Sequence, residues 1–145
     1  MRVRSDPCLT SIFLLLVALV GADPLWAHHS FGATFDEKRP VTITGVLTKM
    51  QWTNPHSHLY LDVKDKDGTV VAWVVEGYPS VVLSRTGWSR DGTVSIGDTL
   101  TVVGWRARDD SPLALGREVT LSGGKRLFFG PPAGTGEGPA VAPGN

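Results

Sequence analysis

Hydrophobic and polar residues alternate along the chain from residue 40 onwards. In the segment VTITGVLTKM (41–50), Val41, Ile43 and Leu47 fall on one side and threonines fall on the other. A period of two is the pattern of a half-buried β-strand. Gly45, in the middle of this run, predicts a β-bulge or a sharp bend, because a glycine inside a strand often marks one.

The next two apolar runs are predicted to form a β-hairpin. In HSHLYLDV (56–63), alternate residues from Leu59 to Val63 share an apolar face. The segment DKDG (65–68) ends in Asp-Gly, which is a strong signal for a tight turn, and the apolar run TVVAWVVEG follows it. Two apolar runs joined in this way are expected to be antiparallel neighbours.

The periodicity changes after this hairpin. The segment YPSVVLSRTGW (78–88) has a proline where a first helical turn tolerates one, then a short apolar cluster, and Gly87 as a stop signal. It therefore predicts one short helix. Further strands are predicted from Thr99 to Arg106, near Glu118 to Leu121, and in a last short segment that ends at Phe129.

This order of elements favours an all-β fold. Three strands, a helix and two or three further strands are typical of a small OB-like Greek-key barrel, here with five to six strands and one short helix between strands three and four. A plain β-sandwich is the rival arrangement. The helix between the third and fourth strands argues against it.

The first 27 residues have the organisation of a secretory signal peptide. Two early arginines precede an uncharged run from Ser11 to Ala22, and Asp-Pro follows it. About 7 to 15 apolar residues suit a signal peptide, whereas a transmembrane helix needs about 20. We therefore predict cleavage after Ala27 and a periplasmic or secreted protein. Cleavage after Ala22 and retention as an uncleaved anchor are the alternatives.

The only cysteine in the sequence, Cys8, lies within this predicted signal peptide. It occurs too early, and without the small-residue context, for a lipoprotein cleavage site. The predicted mature chain therefore has no cysteine. This excludes disulfides, thiolate zinc sites, c-type haem attachment and cysteine nucleophiles from it.

One domain is predicted over residues 28–130, followed by a disordered Pro/Gly-rich tail over residues 131–145. The predicted signal peptide removes two basic and two acidic residues from the 14 of each kind, so 12 of each remain and the net charge stays zero. No basic excess favours nucleic acid or an anionic membrane as a partner. The expected partner is an unidentified small ligand or periplasmic protein, with no transmembrane segment after signal removal.

Several short motifs occur together in this sequence: HHSF at the predicted mature start, then WTNPH, YLDV, GW and GDTLTVVG. In these motifs the chain resembles a widespread family of small exported bacterial proteins classed as a domain of unknown function. The resemblance extends from about His28 to Gly130. It implies a periplasmic, OB-like protein, and it brings with it no established activity and no established ligand residues.

The four histidines of the chain form two pairs, His28-His29 and His56-Ser57-His58. A spacing of two places His56 and His58 on one face, if the strand has already begun at His56. A free α-amine on His28 would add a nitrogen donor beside its own imidazole. Such nitrogen ligands suit copper(II), nickel or zinc, with copper first in affinity. The sequence thus predicts a metal site of His28, His29, His56 and His58, with copper(II) as the candidate cofactor.

A simpler interpretation of these histidines stays open. The first pair would be a frayed terminus, and His56 would cap or stack in the WTNPH turn, since short motifs match by chance often. The sequence does not show that the two pairs meet in space. Surface histidines are the commoner state.

A second hypothesis uses the loop between the first two strands, which in OB folds commonly lines a ligand groove. Trp52 would stack on a planar ligand, Asn54 would hydrogen-bond it, and Tyr60 would extend the platform. The alternative is that Trp52 closes a barrel end while Asn54-Pro55 only shapes the turn. On this second hypothesis the histidines are incidental.

The sequence contains no catalytic motif. It has no nucleophile elbow, no phosphate-binding loop and no GxGxxG segment. Glu76 and Asp62 are expected to be solvated strand-end charges. Trp73 and Trp105 are expected to pack in the core, and Trp88 to cover the helix end. We therefore predict a binding module with no catalytic residues and not an enzyme.

Overall fold

The computed structural model describes residues 31–132, which contain six strands and two one-turn helices. The predicted signal peptide and the tail beyond Pro132 lie outside the described residues. The elements in chain order are α1 (Phe31–Thr34), β1 (Phe35–Gln51), β2 (His58–Lys64), β3 (Val70–Glu76), α2 (Ser80–Leu83), β4 (Thr99–Ala107), β5 (Leu113–Thr120) and β6 (Arg126–Phe128).

All six strands belong to one sheet with the order β3-β2-β1-β4-β5-β6. The neighbours in this order are antiparallel, and β3 also pairs with β5 in parallel, through Val74 to Glu76 opposite Leu113 to Leu115. This extra pairing closes the sheet into a ring of five strands, to which β6 adds at β5. The predicted all-β, OB-like arrangement with a helix between strands three and four is confirmed.

The irregularity predicted at Gly45 lies slightly further along β1. The register between β1 and β2 shifts between Leu47 and Lys49, whereas Gly45 pairs regularly with Leu100 of β4. A Cβ atom at Gly45 would come within 2.8 Å of the Asp62 carbonyl oxygen. Glycine is thus needed here for the close approach of β2, and the bulge itself is two residues later.

Strand β5 begins earlier than predicted, at Leu113. The start was missed because the run Leu113–Gly116 does not alternate in polarity. Its residues are covered on both faces, since Ala114 belongs to the main core and Leu115 to a second apolar cluster. A strand buried on both faces is expected to be continuously apolar.

The main core fills the inside of the ring. Its fully buried side chains come from β1 to β5, from α2 and from the residue after β6, and they include Leu47, Leu59, Leu61, Val75, Leu83, Leu100, Val102, Val119 and Phe129. Trp73 packs against this core in a half-buried position. Trp88 closes it near α2, because its backbone N–H donates to the Leu83 carbonyl and its ring lies 5.1 Å from that of Phe129.

The second apolar cluster lies on the outer face of the sheet. It consists of the buried residues Phe35, Trp105 and Leu115, with Leu113 packed against them. Leu115 alternates with Ala114 and Gly116, which face the main core, so Leu115 points the other way. Trp105 is therefore buried as predicted, although it packs outside the ring.

Phe129 packs directly against the backbone of the ring, which has glycines at the contact. A Cβ atom added to Gly77 would lie 2.6 Å from the Phe129 carbonyl oxygen and even closer to its ring.

We expect Gly77→Ala to lower the free energy of unfolding by about 1 to 3 kcal/mol, because an overpacked core must shift. Gly123→Ala is the control, since nothing lies within 4 Å of its added Cβ. Urea denaturation of both variants measures this, and equal midpoints would contradict it.

Candidate functional site

The loop between β1 and β2 carries the WTNPH motif and is held by hydrogen bonds at one end of the ring. The Thr53 hydroxyl donates to the His56 carbonyl at 2.8 Å, and the hydroxyl of the fully buried Ser57 donates to the Thr53 carbonyl at 3.2 Å. The Gly77 N–H donates to the Ser57 carbonyl at 2.9 Å. These bonds join the loop to the end of β3, and the peptide bond between Asn54 and Pro55 is cis.

This anchoring brings His56 to the carboxylate of Glu76. The Nδ1 atom of His56 lies 2.7 Å from Oε1 of Glu76, and the side chains are 45% and 24% exposed, respectively. This is the distance of an ion pair, which forms when the His56 ring is protonated. Glu76 is therefore not the freely solvated strand-end charge that the sequence suggested. It is a half-buried partner of a histidine.

His58 faces the same carboxylate from the neighbouring strand. It is the register partner of Glu76 in the β2–β3 pair and of Gln51 in the β1–β2 pair. Its Nδ1 atom is buried and has no hydrogen-bond partner among the described residues. Burial lowers the pKa of His58 below 6.5, with nearby His56 acting in the same direction and Glu76 opposing it. The neutral ring, which is the metal-binding form, is thus favoured.

The next row of the same outer face contains Tyr60. Its hydroxyl donates to the Gln51 side-chain oxygen at 3.0 Å, and the Lys49 ammonium lies 4.9 Å from its ring centre. The rings of Tyr60 and His58 are 6.4 Å apart. The cross-strand pairs His58–Gln51 and Tyr60–Lys49 therefore form two rows of polar side chains, where β1 and β3 end and β2 begins.

The predicted metal ligands are brought together only in part. Strand β2 begins at His58, so the strand spacing that would have aligned His56 with His58 does not apply. Instead, His56 contacts Glu76 from the turn, and His58 is the register partner of Glu76 on the neighbouring strand. His28 and His29 lie outside the described residues. Within residues 31–132, no three His, Cys, Asp or Glu side chains are grouped so that they could hold a metal ion.

The three residues of the predicted groove have separate roles in the structure. Trp52 packs half-buried against the main core. The side-chain oxygen of Asn54 accepts hydrogen bonds from the Ser80 hydroxyl at 3.2 Å and from the Val81 N–H at 3.5 Å, and so ties the loop to α2. Tyr60 is grouped with His58. The contacts of Trp52 and Asn54 are those of residues that shape the loop.

The start of β1 approaches this face of the sheet. Phe35 packs on Trp105 and Leu115 in the second apolar cluster, and the Arg108 N–H donates to the Thr34 carbonyl at 3.0 Å. Leu115 is in turn the register partner of Glu76 in the parallel β3–β5 pair. Phe35 is thus one strand away from the carboxylate that contacts His56.

Sequence reasoning missed Glu76 as the centre of this arrangement, although a signal for it was present. Strand pairing counted outwards from the Asp65–Gly68 turn sets Lys64 opposite Val70 and, six residues further, His58 opposite Glu76. An acidic residue opposite a histidine on one face is a cross-strand pair that the hairpin alone predicts.

Comparison with known proteins identifies a family and nothing beyond it. The model of a family of unknown function (DUF6152) matches residues 16–116. No curated protein and no solved structure matches the chain. Within residues 31–132, no helix combines the length and the apolar character needed to cross a membrane.

The buried ring of His58 makes stability depend on pH. Because its pKa is lower in the folded protein than the ordinary 6.5, the unfolded chain binds the proton more readily. The contribution of His58 to the free energy of unfolding is complete above about pH 6.5. It is lost as the pH falls from there towards the lower pKa of His58 in the folded protein. We expect urea midpoints measured at about pH 7.5 and pH 5.5 to differ less in His58→Gln than in the wild type. An equal difference in both proteins would contradict this assignment.

Proposed function

We propose that this chain, which belongs to the family of unknown function DUF6152, is an exported binding module for a transition metal, copper(II) first. The proposed ligands come from His28 and His29 at the mature amino terminus and from His56 and His58 at the end of the ring. The observation that carries the proposal is the buried, unpartnered Nδ1 of His58 beside the His56–Glu76 pair.

The described residues provide two of the four proposed histidine ligands, His56 and His58. A polar atom that is buried without a partner is costly, and each such atom calls for an explanation such as an unseen ligand. His58 offers a favoured neutral ring, and His56 offers the ring nitrogen that does not face Glu76. Two imidazoles alone make a weak site. Further donors have to come from outside residues 31–132.

The amino-terminal segment is close enough in sequence to supply them. Five residues lie between His29 and the anchored Phe35, and because Phe31–Thr34 form α1, the segment reaches at most about 13 Å. Phe35 itself packs on Leu115, the register partner of Glu76. Cleavage after Ala27 would give His28 a free α-amine, so that one residue offers two nitrogen donors. This length and anchoring support a site completed by the terminus.

Copper(II) is the preferred ion because of the type of donor. Imidazole and amine nitrogens without thiolate suit copper(II), nickel and zinc, and copper(II) binds most tightly in the divalent series. The mature chain has no cysteine to favour a thiolate metal. Neutral histidines are available at the near-neutral pH expected outside the inner membrane.

The proposal requires a particular first residue. We expect N-terminal sequencing of the protein recovered from the exported fraction to read His-His-Ser-Phe, because Ala27 places a small residue at the cleavage position. Intact mass should agree with a chain of residues 28–145. A sequence that begins Asp-Pro-Leu, or a chain that keeps its leader, would contradict the amine donor.

The decisive binding experiment compares two forms of the mature protein. Protein that begins at His28 should bind copper(II) about 10- to 100-fold more tightly than the same protein with its α-amine acetylated, because acetylation removes that nitrogen from the chelate. Isothermal titration and electron paramagnetic resonance measure the affinity and the number of nitrogen ligands. His56→Gln and His58→Gln should each lose affinity as well.

Two results would decide against the proposal. Equal affinity of the acetylated and unmodified forms would exclude the amino-terminal chelate. Quenching of tryptophan fluorescence by a small ligand that is lost in Trp52→Ala but kept in His28→Ala would instead favour the groove hypothesis for Trp52, Asn54 and Tyr60.

A further inference from the structure

We propose that Arg117 anchors a docking surface for a protein partner that presents a carboxylate beside apolar side chains. The surface, here named the Arg117 patch, consists of Arg117, Val103 and Phe128 on the outer face of the sheet, with Trp105 buried beneath the arginine. It contains no histidine and requires no metal, so it goes beyond the proposed function and is tested independently of it.

Arg117 is the extra residue of a β-bulge between β4 and β5. Val103 and Gly104 are consecutive in β4, and they pair with Glu118 and Gly116, respectively, so Arg117 lies between two registered pairs. A bulge of this kind directs a side chain away from the position that regular alternation would give it. The bulge here turns Arg117 onto the outer face of the sheet, where its guanidinium carbon lies 5.1 Å from the centre of the Trp105 ring.

Both the backbone and the side chain of Arg117 are held in place. Its carbonyl accepts the Phe129 N–H at 2.8 Å and the Gly130 N–H at 3.2 Å. The Trp105 ring on which its guanidinium lies is only 4% exposed and belongs to the second apolar cluster. A cation over a tryptophan ring is attracted by the negative face of the ring. The arginine is therefore oriented before a partner arrives, which lowers the entropy cost of binding.

Arg117 differs from the other half-buried arginines of the described chain in having no counter-charge. Arg39 and Arg106 both form ion pairs with Asp110. Within residues 31–132, no carboxylate forms an ion pair with Arg117. The adjacent carboxylate, Glu118, instead pairs with Arg126 at 3.3 Å. One positive charge on this face is thus left uncompensated.

The hydrogen-bonding state of Arg117 also calls for an acceptor. Its Nε atom is buried and has no hydrogen-bond partner among the described residues. Such a donor is costly, and a guanidinium regains most from a carboxylate, which it binds with two parallel hydrogen bonds. Because Nε is covered and the residue as a whole is half-buried, the terminal nitrogens are the donors that a partner can reach. Charge complementarity therefore identifies a carboxylate as the occupant.

The surroundings of Arg117 favour a protein carboxylate over a free anion. Phe128 is 58% exposed, and both Phe128 and the half-buried Val103 are register partners of Glu118, so the three residues form one row on the outer face next to Arg117. Arginine and aromatic residues are enriched in protein interfaces. A free anion would use only the cation, whereas an acidic side chain flanked by apolar ones would also cover Phe128.

The first test measures binding of two peptide probes to the exported protein by nuclear magnetic resonance. The peptide acetyl-Leu-Glu-Leu-amide should shift the Trp105 indole resonance and bind about 10- to 100-fold more tightly than acetyl-Leu-Gln-Leu-amide, because hydrogen bonds to charged groups contribute most. Arg117→Met should lose this preference. Arg90→Met is the matched control, since it removes the same charge from an exposed residue outside the Arg117 patch, and it should bind like wild type.

Three results of the binding test would overturn the proposal. Equal binding of the two peptides by wild type would exclude recognition of a carboxylate. Inorganic phosphate that binds at Arg117 as tightly as the acidic peptide would replace the protein partner by a free anion. A dimer in analytical ultracentrifugation that Arg117→Met dissociates would replace it by a second copy of this chain.

The second test separates a binding role of Arg117 from a structural one. A charge held partly out of water without a counter-charge does not stabilise the unbound protein, and an apolar side chain of similar length still covers Trp105. The urea midpoint of Arg117→Met should therefore equal or exceed that of wild type. A lower midpoint in Arg117→Met, with Arg90→Met unchanged, would show that the arginine serves to hold Trp105 and would overturn its assignment to a partner.

Discussion

The parallel pairing of β3 with β5 is the contact on which the rest of the molecule depends. Without it the sheet would have two open edges, whereas the Val74 N–H bond to the Pro112 carbonyl and the register from Val74 to Glu76 close it into a ring. Closure encloses the main core, seats Phe129 against Gly77 and Gly116, and sets Glu76 between His58 and Leu115.

The candidate site follows from that closure, because its two halves come from unlike elements. The end of β3 supplies Glu76, and the start of β2 supplies His58. A hydrogen-bonded turn supplies His56. Neither element alone would place an imidazole nitrogen 2.7 Å from a carboxylate. The polar row stands on the outer face of the ring, next to the cluster of Phe35, Trp105 and Leu115. The apolar core therefore lies inside the ring, and the polar side chains of the candidate site lie on its outer surface.

Much of the fold could be predicted from the sequence, since alternation identified the half-buried strands and the Asp65–Gly68 turn identified their hairpin. The start of β5 could not be found by alternation, because residues from Leu113 are covered on both faces. The bulge was expected at Gly45, where the glycine in fact relieves a contact with the Asp62 backbone. The sequence predicted the histidines as candidate ligands, and the structure brings His56 and His58 to Glu76 by a side-chain contact and by strand register, respectively. Their common partner depends on a cross-strand register and on the way a turn folds, and no local pattern reports the latter.

The anchoring of Phe35 also limits how far the amino terminus can move from the candidate site. Any group attached seven residues before a fixed point, as His28 is before Phe35, is confined to a small volume around it, which corresponds to a local concentration in the millimolar range or above. On the proposed function, a donor on His28 would therefore meet the ring histidines as an intramolecular partner and not as a solute. The precursor, with that nitrogen tied up in a peptide bond, would remain inactive until the leader is removed, so processing would itself switch on uptake of the ion.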